Sequence, residues 1–362
     1  MNGVKMMINV KKEDFQNSYD GKKVFLYTVS NGTMSFSVTN YGATVTKIDF
    51  PSKNGEMENL VLGFDSVEEY IKGNGCYFGV VAGRFANRIG NGCFQIEGKN
   101  YQLDQNDGKN CLHGGFVGIN HRVFDIEPVQ IDENLAGVKL FYLSKDGEQG
   151  MPGNVELEVT YLLDKNNNLT CFYTAKTDKA TPINITNHAY FNLAGKGTIL
   201  NHTVKMNSTK VLEVNDKLIP TGKLLDVADT PFDFTTEKSI GKDIKEVGSG
   251  YDHCYVTEMY NPDDEHCGCP LDDSDLVEFC KVKELENDVE MQVFTNMEGC
   301  QFYTGNHIKG TVGKNGQVYK SHDAFCLETQ CFPDTPNKPE FPTCVLQPGQ
   351  LMKAKTIYSF NF

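Results

Sequence analysis

The chain has 362 residues, 39% hydrophobic and 23% charged, enough to bury a sizeable core and too apolar for a disordered polymer. Its 34 basic and 48 acidic residues leave a formal net charge of −14, which argues against nucleic acid and anionic membrane surfaces as partners. The first dozen residues are charged too early for a signal peptide and no later run approaches a membrane span. A cytoplasmic protein with reduced cysteines is therefore expected, many of them, such as Cys171 and Cys326, serving as small core hydrophobes.

Along the chain, the N-terminal dozen residues are expected to be ragged. Met34, Phe36 and Val38 share one parity, the period-two pattern of a half-buried strand. Ser66-Val-Glu-Glu forms a capping box for a short helix with Val67, Tyr70 and Ile71 on one side and Gly73 as its stop. Glu97-Gly-Lys-Asn separates Phe94-Gln-Ile from Tyr101-Gln-Leu, a predicted hairpin. Val155, Leu157, Val159, Tyr161 and Leu163 alternate again, and Asp164-Lys-Asn-Asn-Asn turns that strand into Leu169-Thr-Cys-Phe-Tyr-Thr-Ala. Ile240, Ile244 and Val247 predict another helical turn or two. Strand–helix alternation is absent, so the expected class is all-β: a large antiparallel β-sandwich with a few short helices, one domain over 1–362.

One stretch stands apart. Asn261-Pro-Asp-Asp-Glu-His-Cys-Gly-Cys-Pro-Leu-Asp-Asp-Ser-Asp is acidic and turn-rich, and reads as a surface insertion at about 261–280. His266, Cys267 and Cys269, with Cys280 or His253, are zinc-ligand types, but Cys-x-Cys beside one histidine is not a standard spacing. Free thiols on an exposed loop, and no metal, are expected there.

Chemistry concentrates in two segments. Asn184-Ile-Thr-Asn-His-Ala-Tyr-Phe sets His188 in a bracket of Asn184, Thr186 and Asn187 that could hold its ring and set which nitrogen carries the proton. Asp323-Ala-Phe-Cys-Leu-Glu-Thr-Gln closes a short apolar run with Glu328, whose carboxyl burial would make a ready proton acceptor and donor. The plain alternatives are a hydrogen-bonded structural histidine and a glutamate facing water. Further polar clusters lie at Gly83-Arg-Phe-Ala-Asn-Arg-Ile, Asn110-Cys-Leu-His-Gly-Gly, Gly250-Tyr-Asp-His and Cys300-Gln-Phe-Tyr-Thr-Gly-Asn. Their side chains suit the hydroxyls of a pyranose, and without tryptophan any stacking falls to phenylalanine or tyrosine.

In this order these segments, with Leu60-Val-Leu-Gly-Phe, Asp146-Gly-Glu-Gln-Gly-Met-Pro-Gly and Ile219-Pro-Thr-Gly, resemble the aldose 1-epimerases, the galactose mutarotase family, over most of the chain. The resemblance implies the family's supersandwich fold and interconversion of the α and β anomers of free aldohexoses, with neither cofactor nor metal. It implies Glu328 as general base and His188 as general acid. It implies His113, Asp252, Arg88, Asn87 and Gln301 as substrate-binding residues, with Arg84 structural. His253 and His307 are expected to be structural or exposed, and His322 to support Glu328. A monomer or weak homodimer is expected. A sugar-binding or sensor protein on the same scaffold is the rival reading, which loss of the acid or base would mark.

Overall fold

The structure, a computed structural model, describes residues 8–267 and 275–362. The alternating segments form antiparallel sheets, since each apolar parity buries one face of its strand. The largest sheet has nine strands, in the order Asp125–Asp132, Leu135–Ser144, Val155–Asp164, Asn168–Thr177, Met352–Asn361, Glu290–Thr295, Val277–Lys283, Thr203–Met206 and Lys238–Ser239. Val155–Asp164 pairs with Asn168–Thr177 across the predicted asparagine-rich turn, and Cys93–Ile96 pairs with Lys99–Gln102 as the predicted hairpin. A five-stranded N-terminal sheet runs in chain order from Asn9–Tyr19 to Met57–Asn59. Its first strand pairs with Lys22–Ser30, so the N-terminus is ordered from within the dozen residues expected to be ragged.

The helix Val67–Gly73 begins as the capping box requires: Ser66 Oγ donates to Glu69 Oε2 at 2.9 Å and accepts the Glu69 N–H at 3.3 Å. Ile244–Val247 is a short 3₁₀ turn. One apolar core joins side chains of the N-terminal and nine-stranded sheets, including Phe36, Val38, Val159, Tyr161, Met291 and Tyr358. No helix of the described residues is long and apolar enough to cross a membrane.

The sheet that matters most for chemistry has five strands, in the order Pro220–Asp226, Lys210–Val214, Asp252–Val256, Gly299–Tyr303 and Cys326–Gln330. Gln301 is opposite both Cys254 and Glu328, while Tyr303 is opposite both Asp252 and Cys326. Opposed residues of antiparallel strands share a face, as do residues two apart on one strand. Asp252, Gln301, Tyr303, Cys326 and Glu328 therefore rise from one face in two adjacent rows.

The segment around 261–280 departs from expectation at both ends. Cys267 is disulfide-bonded to Cys331, three residues beyond Glu328, rather than a free thiol. Cys280 belongs to the strand Val277–Lys283 and packs in the core, because alternation has already resumed there. Cys269 lies outside the described residues. The nine described cysteines outside that bond, Cys280 among them, carry free thiols.

Candidate active site

A pocket opens over the shared face of the five-stranded sheet, lined by Glu328, Gln301, Asp252 and Tyr303 below and by His188, His113, Asn87 and Arg88 from the facing loops. All seven residues expected to carry the chemistry meet here, although they are spread from position 87 to position 328. Arg84 does not join them. It is 1% exposed, and its guanidinium is spent on Ser144 Oγ and the carbonyls of Pro152 and Gly153.

His188 follows the two-residue strand Thr186–Asn187, which pairs with Val81–Ala82. Its own backbone extends the pairing, donating N–H to Val80 O and accepting from Gly79 N–H, each at 2.9 Å. The asparagines expected to hold its ring instead hold the backbone around it. Asn184 Nδ2 donates to Ala86 O and its Oδ1 accepts the Cys331 N–H, while Asn187 Nδ2 donates to Gly79 O. The ring is held by other neighbours. It stacks on Tyr190 with centroids 4.9 Å apart, meets His113 edge-on at 5.0 Å, and has Cys326 Sγ 3.5 Å from Nδ1. Nε2 faces Glu328 Oε1 at 3.6 Å.

Burial sets the proton affinities. His188 is 4% exposed and loses hydration on protonation, which lowers its pKa to about 4. Glu328 is 2% exposed, and burial, reinforced by the Asp252 charge and opposed by Arg88, raises its carboxyl well above the ordinary range. Its Oε2 is buried with no hydrogen-bond partner, in a pocket otherwise rich in paired groups.

Arg88 stands on the short strand Arg88–Ile89, paired with Cys111–Leu112. Its Nε lies 2.9 Å from Asp107 Oδ2, and its Nη2 approaches Asp252 Oδ2 at 3.9 Å. Asp252 Oδ1 accepts from Gln301 Nε2 at 2.6 Å, so arginine, aspartate and glutamine form one chain across the pocket floor. At the ends of the short strands Asn87 and His113 clasp each other. His113 N–H donates to Asn87 O at 3.1 Å, and Asn87 N–H donates to His113 Nδ1 at 3.2 Å. A backbone N–H can only donate, so Nδ1 accepts and the neutral His113 ring carries its proton on Nε2. Burial, with His188 and Arg88 adding to it, lowers its pKa well below the usual value and keeps it in that neutral form. Both residues are in the left-handed region, at φ 63° and 51°, a conformation that L-residues adopt at some cost and that recurs at functional sites. Gly114 follows at φ 89°, where a Cβ would meet Gly83 O at 2.1 Å, so only glycine closes this turn.

The aromatic walls are Tyr190, two residues after His188, Tyr303 of the Gln301-Phe-Tyr segment, and Tyr77, which no single-segment pattern singled out. His307 also lines the pocket, against expectation, whereas His253 and His322 do not: Nδ1 of His253 accepts the Asp252 N–H and His322 Nδ1 lies 3.0 Å from Thr304 O. Cys326 and Asp107 are further contributors. Cys326 was open to discovery, since a residue two before Glu328 on a strand must share its face.

Among the described residues two groups have ligand atoms close enough for a cation, within 4.8 Å of one another. One is His113, His188 and Glu328; the other is Cys267, Glu298 and Cys331, whose sulfurs are bonded to each other.

A buried imidazole and carboxyl 3.6 Å apart, beside guanidinium, amide and carboxylate side chains, form an arrangement suited to proton transfer on a polyhydroxylated molecule. The aldose 1-epimerase family model matches residues 26–359, and the chain belongs to that family. Its function is accordingly that of a mutarotase, a carbohydrate isomerase that interconverts sugar anomers. Galactose mutarotase from Mus musculus is 37% identical over 346 residues, covering 94% of this chain and 95% of that protein. Aldose 1-epimerase from Escherichia coli (strain K12) is 31% identical over 350 residues, 94% and 96% of the two chains. The crystal structure of galactose 1-epimerase from Lactobacillus acidophilus NCFM superposes with a TM-score of 0.83 at 29% identity, over 98% and 99%. These likenesses favour the isomerase over a non-catalytic sugar binder.

Proposed function

We propose that Glu328 and His188 carry out the ring opening and closing of a free aldohexose, D-galactose or D-glucose being the sugars to test first. Glu328 carboxylate takes the proton of the hydroxyl on the anomeric carbon while His188 imidazolium gives its Nε2 proton to the ring oxygen. The bond between anomeric carbon and ring oxygen breaks, its electron pair staying on oxygen, and an open-chain aldehyde results. Rotation about the adjoining carbon–carbon bond presents the other carbonyl face. Closure then returns the Glu328 proton to the new anomeric oxygen and the ring-oxygen proton to His188, leaving the pair as it began.

The carrying observation is the 3.6 Å approach of His188 Nε2 to Glu328 Oε1, with Glu328 Oε2 buried and unpartnered. Arg88, Asp252, Gln301, Asn87 and His113 bind and orient hydroxyls in this reading, and the tyrosines supply the apolar walls. We read the protein as cytoplasmic, a monomer or weak homodimer whose partner is the sugar, with neither nucleic acid nor membrane, in keeping with its charge of −14.

The test follows the optical rotation of freshly dissolved α-D-galactose, then α-D-glucose, in buffer containing a chelator. Acceleration proportional to protein concentration is expected, unchanged by the chelator. Acceleration that vanishes with chelator and returns with added zinc would assign His188 and Glu328 to a cation instead. Acceleration of neither sugar would overturn both as substrates.

A further inference from the structure

Cys326 lies two residues before Glu328 and rises from the same sheet face, so one strand brings Glu328 to the pocket and buries Cys326 beside the His188 ring. Its sulfur approaches the edge of the His188 ring opposite the one that faces the carboxylate: Sγ to Nδ1 is 3.5 Å, and Nε2 to Glu328 Oε1 is 3.6 Å. The two side chains of one strand thus grip the imidazole at both nitrogens.

A histidine that gives up its Nε2 proton as an acid must keep the other proton on Nδ1, because loss of both would leave an anion far too costly near neutral pH. Nδ1–H therefore needs an acceptor before and after the transfer. The His188 carbonyl, which receives the Gly79 N–H at 2.9 Å, has a second lone pair within reach of the ring, while Asn184 Oδ1 is taken by the Cys331 N–H. Cys326 Sγ, 3.5 Å from Nδ1, is the side-chain group placed at that nitrogen. Burial pushes this thiol well above its usual pKa, so it stays a neutral S–H group. A carboxylate in its place would stabilise the imidazolium and make it a reluctant donor, whereas sulfur accepts only weakly.

We propose that Cys326 is a positioning residue: its sulfur accepts the Nδ1–H of His188, fixes the angle of the ring, and leaves the Nε2 proton easily given to the sugar. This rests on the reading of His188 as the acid.

The test compares Cys326→Ala, Cys326→Ser and wild type, with His188→Asn alongside. Two quantities are read: the protonation midpoint of the His188 ring by nitrogen-15 NMR, and kcat and KM for α-D-galactose across pH. Cys326→Ala is expected to lower kcat about threefold to tenfold at unchanged KM, the scale of one lost hydrogen bond. Serine, a stronger acceptor, is expected to hold the ring and to raise the midpoint above that of wild type, with alanine below it. The acid limb of kcat should move in the same order, Ser above Cys above Ala. Loss of packing alone would not produce that order. Coincident midpoints and profiles overturn the proposal, and so do ordered midpoints with identical kcat. Retained turnover in His188→Asn would remove His188 as the acid by itself. Lost turnover there, with the three Cys326 proteins alike, removes only the role of Cys326.

Discussion

His188 Nε2 stands 3.6 Å from Glu328 Oε1, and because both side chains are buried the two groups hold a proton between them more readily than they hold opposite charges. Burial favours protonated Glu328 beside neutral His188, which in the proposed mechanism is the state reached when the sugar ring has opened. The charged state that would begin that cycle leans on Arg88, whose field favours the carboxylate. The pocket thus favours the neutral pair, with Arg88 opposing that preference.

Glu328→Gln and His188→Asn should each lower kcat by about a hundredfold to ten-thousandfold, the range of a lost general acid or base. Sugar affinity, measured by calorimetry, should change far less. Near-normal turnover in either variant would take that residue out of the proton-transfer pair.

The pH dependence of kcat/KM should show a plateau bounded by the two titrations of the pair. On the acid side the pair gains a second proton near the lowered His188 value of about 4, and activity falls below it. On the alkaline side the remaining proton leaves only well above the ordinary carboxylate range, since burial raises Glu328. Stopped-flow polarimetry from pH 3 to 9 reads this; activity lost with rising pH at an ordinary carboxylate pKa would contradict it.

Asp107→Asn should weaken sugar binding by way of Arg88, whose Nε it holds at 2.9 Å. A rise in KM of about threefold to tenfold with a smaller change in kcat is expected. Unaltered KM would mean that Arg88 is held well enough by its other contacts.

Glu298 offers a stability test away from the pocket. Burial raises its pKa from 4.5 to about 8, and its Oε1 has no partner. A raised carboxyl contributes stability that is fully present below the unfolded value and is lost as pH rises through the folded one. Wild type should therefore lose ground to Glu298→Gln between pH 4.5 and about 8, by up to several kcal/mol. Urea midpoints at several pH values measure it, and a pH-independent difference would refute it.

Much of this was legible in the sequence because strand parity is a local property. Val155 to Leu163, the turn after Asp164, and the capping box at Ser66 each need only a few neighbouring residues, and each formed where expected. His188 and Glu328 stand out in sequence as polar residues set in apolar runs, and the fold brings them within 3.6 Å of each other. What escaped depends on register between distant strands: the Tyr303–Cys326 pairing and the Arg88–Asp107 contact follow from how strands align, which no single window contains. The Cys267–Cys331 bond escaped for the same reason, as its partners are 64 residues apart. Asn184 and Asn187 read in sequence as holders of the ring, whereas their amides satisfy the irregular backbone that carries it, a role that only the folded chain reveals.

The clasp between Asn87 and His113 also gives the pocket a fixed polarity. With Nδ1 occupied by a main-chain N–H that no protonation change can remove, the outward nitrogen of His113 offers hydrogen and never a lone pair. A sugar hydroxyl bound there, as proposed, would accept that hydrogen, but an ammonium would meet hydrogen with hydrogen. Aminated sugars are thereby discouraged at that position by geometry alone, with no bulky side chain standing guard.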